Sequence, residues 1–134
     1  MARILICEDD ELYQQIADAA FAGSGHEVLF AVNGRQAMSH VAAAKTPFDL
    51  IVTDLVMPDK DGLEVIRSVR ERNTATPILA MTAGVASLKE PLLVAASALG
   101  ANDVIQKPFR PQALRERAEA LIARAQKDQT SIAV

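Results

Sequence analysis

The sequence carries a single cysteine, Cys7, so no disulfide framework can form within the chain. That thiol sits inside an apolar run, where cysteine behaves as a small buried hydrophobe. No apolar stretch is long enough to span a bilayer, and Met-Ala-Arg-Ile at the start lacks a signal-peptide layout. Charge of either sign is not in excess. The 14 basic and 17 acidic residues leave a net −3, which gives no general attraction to nucleic acid or anionic membrane. Internal repeats and low-complexity tracts are absent. So is any Ser–His or Cys–His arrangement for nucleophilic catalysis, and neither His26 nor His40 falls near a strand end. These absences point to a soluble, cytoplasmic protein.

What is present is a patterned chain of 134 residues, half of them apolar, long enough to close one real core. Apolar runs at 3–7, 27–32, 50–53, 78–81 and 103–106 read as strands. Between them lie amphipathic stretches. Leu12, Ile16, Ala19 and Ala20 give a first helix, stopped by Gly23 and Gly25. Asn33 caps a second with Ala37, Met38, Val41 and Ala42 on its apolar face. Asp61 caps a third, with Glu64 completing a capping-box pattern and Leu63, Val65, Ile66 and Val69 facing inward. A loop over 85–90 leads to a fourth helix opened by Pro91 and ended by Gly100. Pro111 opens the last, striped by Leu114, Ala118, Leu121, Ile122 and Ala125. One domain over 1–125 and a flexible tail over 126–134 are predicted.

Strands alternating with helices in the order (βα)5 predict an α/β fold with a parallel sheet covered on both faces. All carboxyl strand ends then share one edge, where open α/β sheets bind ligands. Here those ends read Glu8 and Asp9, Asp54, Thr82 and Lys107. The strand after the second helix sits beside the first, which brings Asp54 near Asp9. Clustered carboxylates repel, so one must take a proton or a cation must sit among them. All-oxygen ligands with room for water suit Mg²⁺. A carboxylate facing two cations is equipped to receive a phosphoryl group, with Asp54 as nucleophile.

Four marks stand in order, each at a predicted strand end: Ile-Leu-Ile-Cys-Glu8-Asp9-Asp10, then Thr53-Asp54-Leu-Val-Met-Pro58 with Asp61-Gly62, then Met81-Thr82-Ala83, then Lys107-Pro108-Phe109. Together they resemble the receiver domain of the two-component response-regulator family, over residues 3 to about 125. The resemblance implies a flavodoxin-like, five-stranded parallel sheet of order 2-1-3-4-5. It implies that Asp54 accepts a phosphoryl group from a phosphohistidine on a histidine kinase or histidine phosphotransfer protein. Asp9, Asp54 and the Val56 carbonyl would ligate Mg²⁺, with Glu8 reaching it through water. Lys107, the Thr82 hydroxyl and the Ala83 N–H would bind phosphoryl oxygens, and the Lys107–Pro108 bond would be cis. The exposed part of the first helix, Leu12, Gln15 and Ile16, with Pro108 and Phe109, would dock the kinase.

Three departures from the family pattern bear on signalling. Val104 stands where the family often has an aromatic switch residue. The stretch from Thr82 to Lys107 is a few residues long, the surplus falling in 83–90. Residues 92–99 are apolar nearly all round, although a helix on a sheet should show a polar face. One reading is that Leu93, Val94 and Val104 form an apolar docking surface for a downstream partner or a second copy in a homodimer. The other is a deeply buried or partly unwound helix. A second expectation is that the long loop is mobile and orders on phosphorylation. The Arg110, Arg115, Arg117 and Arg124 cluster reads as a solvated face. With few residues after the last helix, the chain reads as a stand-alone regulator that is not an enzyme on a metabolite. A flavin or cobalamin module is disfavoured by Glu8-Asp9-Asp10-Glu11 after the first strand and by the missing Asp-x-His-x-x-Gly element. An aspartyl phosphatase is disfavoured because Asp54-Leu55-Val56 lacks the second acid of Asp-x-Asp.

Overall fold

A computed structural model describes the backbone of residues 1–57, 61–83 and 86–133, with side chains for all of these except 86–90, 92 and 129–133. Ten elements alternate strictly. They are β1 (Arg3–Cys7), α1 (Glu11–Phe21), β2 (Glu27–Ala31), α2 (Gly34–Ala43), β3 (Leu50–Asp54), α3 (Gly62–Arg72), β4 (Ile78–Ala83), α4 (Ala86–Leu99), β5 (Asp103–Lys107) and α5 (Pro111–Ala133). The strands form one parallel sheet of order β2-β1-β3-β4-β5. β3 lies between β1 and β4, so its carboxyl end is flanked by strand ends on both sides.

Successive side chains of a strand point to opposite faces. Ile4 and Ile6 of β1 therefore enter a core layer with Ala17, Phe21, Leu114 and Leu121 of α1 and α5. Leu5 and Cys7 enter the layer on the other face with Ala37, Val65, Ile66 and Ala96 of α2, α3 and α4. Both faces are buried, which is why the strands read as continuous apolar runs. The helix starts follow their caps. The side chains of Asp10, Asn33 and Asp61 accept from the N–H groups of Leu12, Gln36 and Glu64. Gly62, the first residue of α3, packs directly on the end of β3. A Cβ there would lie 1.8 Å from the Asp54 carbonyl oxygen, so only glycine fits.

Four expectations need correction. The buried side of α1 is Ala17, Ala20 and Phe21, while Ala19 is exposed and Leu12 is 58% exposed. Small residues let α1 lie close to the sheet, and the long Leu12 is turned outward. In α2, likewise, Ala42 is exposed. The predicted loop over 85–90 is helical from Ala86 onward, and Pro91 lies inside α4 rather than opening it. Ala-Ser-Leu-Lys-Glu is a good helix-forming run, and it absorbs the surplus residues into a longer α4. Gly84 and Val85, like Pro58, lie outside the described residues. The predicted tail over 126–134 is helical as far as Ala133, because no glycine or proline interrupts α5 after Pro111.

Candidate functional site

Glu8 follows the last residue of β1, and its side chain is wholly buried. Its backbone is fixed from two sides. Its N–H donates to the Ala31 carbonyl at 2.9 Å, and its own carbonyl accepts from Gln14 Nε2 at 2.7 Å. Its carboxylate accepts from the Asp10 N–H at 3.0 Å through Oε1 and from Lys107 Nζ at 2.7 Å through Oε2. Asp54, the last residue of β3, is also buried. Its Oδ2 accepts from Lys107 Nζ at 3.0 Å and its Oδ1 from the Val56 N–H at 3.3 Å. Lys107, the last residue of β5, thus reaches across the sheet edge to bridge two buried carboxylates. The Lys107–Pro108 peptide is cis.

The electrostatics are lopsided. Burial pushes the Glu8 carboxyl above the usual carboxylate range, and the Lys107 and Asp10 hydrogen bonds pull it part of the way back. For Lys107 burial alone would lower the ammonium, but its hydrogen bonds to Glu8 and Asp54 outweigh that and hold it above the ordinary lysine value. Asp9 is exposed beside them. One oxygen from each of Glu8, Asp9 and Asp54 lies within 4.8 Å of the others, near enough to share a small cation. Three carboxylates against one ammonium leave a formal −2, which a divalent ion would balance. An all-oxygen set with one solvent-facing member fits Mg²⁺.

Thr82 sits one residue before the end of β4 and is buried. Its Oγ1 has no hydrogen-bond partner among the described residues. A buried hydroxyl without a partner among its described neighbours is uncommon and asks for an explanation. Ala83 follows it, exposed, in register with Lys107. Val56 is exposed next to Asp54. The acids, Thr82, Ala83 and Lys107 therefore meet at one edge. A cavity of about 210 Å³ lined by Phe48, Thr76 and Pro77 touches none of them, and lies where β4 begins.

The remaining predicted residues lie outside this set. Gln15 and Pro108 are exposed, and Ile16 and Phe109 half-buried. Leu93 is half-buried and Val94 is 64% exposed, so α4 does not bury its whole apolar surface in the monomer. Val104 is half-buried against the α2–α4 core layer, and its carbonyl accepts from Arg117 Nη1 at 3.0 Å. Arg117 also pairs with Asp103, so one arginine of the predicted solvated cluster ties α5 to β5.

Tyr13 was not predicted for the site. Its ring covers the Lys107 ammonium, with Nζ 4.2 Å from the centroid, and packs on Phe109 at 5.4 Å. The one available signal was helical spacing, which puts position 13 in the first turn after the Asp10 cap, next to the strand ends.

A family model described as the response regulator receiver domain matches residues 4–119. The alkaline phosphatase synthesis transcriptional regulatory protein PhoP of Bacillus subtilis is 32% identical over 124 residues, covering 92% of this chain and 50% of PhoP. The two-component response regulator ORR41 of Oryza sativa is 36% identical over 117 residues, covering 85% of this chain and 89% of ORR41. The chain spans about half the length of several curated bacterial relatives that it matches. Among solved structures, chemotaxis protein CheY4 of Vibrio cholerae superimposes with a TM-score of 0.78 at 30% identity, over 90% of this chain and 98% of CheY4. A CheY-like receiver domain of Methanospirillum hungatei gives 0.84 at 25% identity, over 96% of this chain and 98% of its own.

Proposed function

Because the chain belongs to the response regulator receiver family, whose domains are phosphoacceptor signalling modules, we propose that Asp54 is its phosphoryl acceptor. The observation that carries this reading is the Lys107 ammonium, held 3.0 Å from Asp54 Oδ2, at the same sheet edge as a buried Thr82 hydroxyl that has no partner among the described residues. A carboxylate oxygen of Asp54 attacks the phosphorus of a phosphohistidine. The P–N bond breaks as the P–O bond forms, and the imidazole leaves with the electron pair. Lys107 shifts from the carboxylate to a phosphoryl oxygen. The Thr82 hydroxyl and the Ala83 N–H donate to others, which gives the Thr82 hydroxyl an acceptor.

Asp9, Asp54 and the Val56 carbonyl would hold Mg²⁺, with Glu8 acting through water. When bound, the ion offsets the repulsion between the carboxylate and the phosphoryl oxygens. The donor is a histidine kinase or histidine phosphotransfer protein, docking at Leu12, Gln15 and Ile16 of α1 with Pro108 and Phe109. Output runs through Leu93, Val94 and Val104 to a downstream protein or a second copy. The chain is a signalling unit rather than an enzyme on a metabolite, and it works in the cytoplasm without a membrane or nucleic-acid contact of its own. No described helix is long and apolar enough to cross a membrane.

The test is intact mass after incubation with acetyl phosphate and Mg²⁺. The native chain gains one phosphoryl group and Asp54→Asn gains none. A gain in both would sink the assignment.

A further inference from the structure

We infer that Tyr13 is a positioning residue for Lys107, and that its ring registers the phosphorylation state of the site; this rests on Asp54 being the acceptor. An ammonium has three donors. In Lys107 two of them are directed at Glu8 Oε2 and Asp54 Oδ2. The Tyr13 ring covers the ammonium as well, with Nζ 4.2 Å from its centroid, inside the range in which a cation is drawn to an aromatic face.

The ring is itself fixed. It packs on Phe109 with a 55° tilt, and Phe109 lies against the core layer formed with α1 and α5. The next residue, Gln14, donates to the Glu8 carbonyl at 2.7 Å. Two consecutive residues of α1 thus grip the site, one at the ammonium and one at the backbone beside the buried acid. The face of Tyr13 keeps the ammonium aimed along the sheet edge while leaving its N–H groups to oxygen acceptors. When Lys107 leaves Asp54 Oδ2 for a phosphoryl oxygen, its position over the ring changes. α1 also carries the exposed Leu12 and Gln15, so the residue that feels this shift lies on the proposed docking helix. The family resemblance puts an aromatic reporter on the fifth strand. Here β5 has Val104, and the aromatic ring that touches the lysine belongs to α1.

The chain has one tyrosine and no tryptophan, so tyrosine emission reads this ring alone. The purified chain is incubated with acetyl phosphate and Mg²⁺, and mass and emission are followed together. Emission changes in step with the mass gain, and Asp54→Asn shows neither. Tyr13→Phe keeps the aromatic face and phosphorylates at the native rate. Tyr13→Leu is slower by roughly five- to thirtyfold, the rate equivalent of one largely desolvated cation–π contact. A mass gain with unmoved emission overturns the proposal and leaves the Asp54 reading standing. Equal rates for the Phe and Leu variants overturn it as well. No mass gain in the native chain overturns both. Should Tyr13→Leu fail to fold, the native emission decides.

Discussion

Lys107 Nζ stands 2.7 Å from Glu8 Oε2, and the two side chains come from opposite ends of the chain, 99 residues apart, to meet with almost no solvent contact. Breaking such a pair leaves a buried carboxylate without its counter-charge, which typically costs about 3–5 kcal/mol. Lys107→Met should therefore unfold at clearly lower urea. The sign with pH follows from Glu8, whose carboxyl is already pushed up by burial and loses the lysine that pulls it down. A raised acid contributes stability below its unfolded value and loses that contribution as pH rises through its folded value. The deficit of Lys107→Met should shrink in weakly acid buffer and widen toward neutrality. A deficit independent of pH would count against the geometry.

Asp9 is the exposed member of the acidic trio, and its place there predicts linkage between Mg²⁺ and folding. A ligand that binds only the folded chain stabilises it by about 2.7 kcal/mol at a hundred times its dissociation constant. Mg²⁺ should raise the melting temperature of the native chain in differential scanning calorimetry. Asp9→Asn should shift that rise to higher Mg²⁺. An identical dependence in both would remove Asp9 from the ligand set.

Thr82→Val should separate stability from signalling. The hydroxyl has no acceptor among the described residues, and an unsatisfied buried polar group costs about 1–3 kcal/mol. Valine keeps the shape without the hydroxyl. The unphosphorylated variant should match or exceed native stability in urea, while its Asp54 phosphate is lost faster in a mass time course. A destabilised variant would mean that the hydroxyl is already satisfied.

The Cys7 thiol is pushed up to about 12, first by burial and then by the neighbouring carboxylates Glu8, Asp54 and Asp9. Alkylation needs the thiolate. Folded protein should resist iodoacetamide in mildly alkaline buffer, and the same protein in denaturant should gain one adduct. Between the ordinary value of 9.0 and about 12, the unfolded thiol ionises while the folded one does not, so stability falls with pH across that window. Cys7→Ala should flatten this part of the profile.

Much of this was legible in the residues themselves. The strands announced their positions as apolar runs, and Glu8, Asp9, Asp54, Thr82 and Lys107 each lie within two residues of a strand end, where the hydrophobic requirement stops. Caps at Asn33 and Asp61 were equally plain, because a capping bond is local. What failed was what local pattern does not encode. The inward face of α1 is made by Ala17 and Ala20, whose small size matters only against a sheet. Pro91 looked like a helix opener until the run before it proved helical. The contact of Tyr13 with Lys107 depends on how α1 leans over the strand ends, and no spacing rule contains that angle.

Gly62 has one more implication. Its N–H donates to the Leu55 carbonyl at 3.2 Å, directly above the Asp54 carbonyl that excludes any side chain there. The start of α3 is thus pinned to the residue after β3 by a main-chain bond, and any side chain at position 62 would push that helix off the strand end.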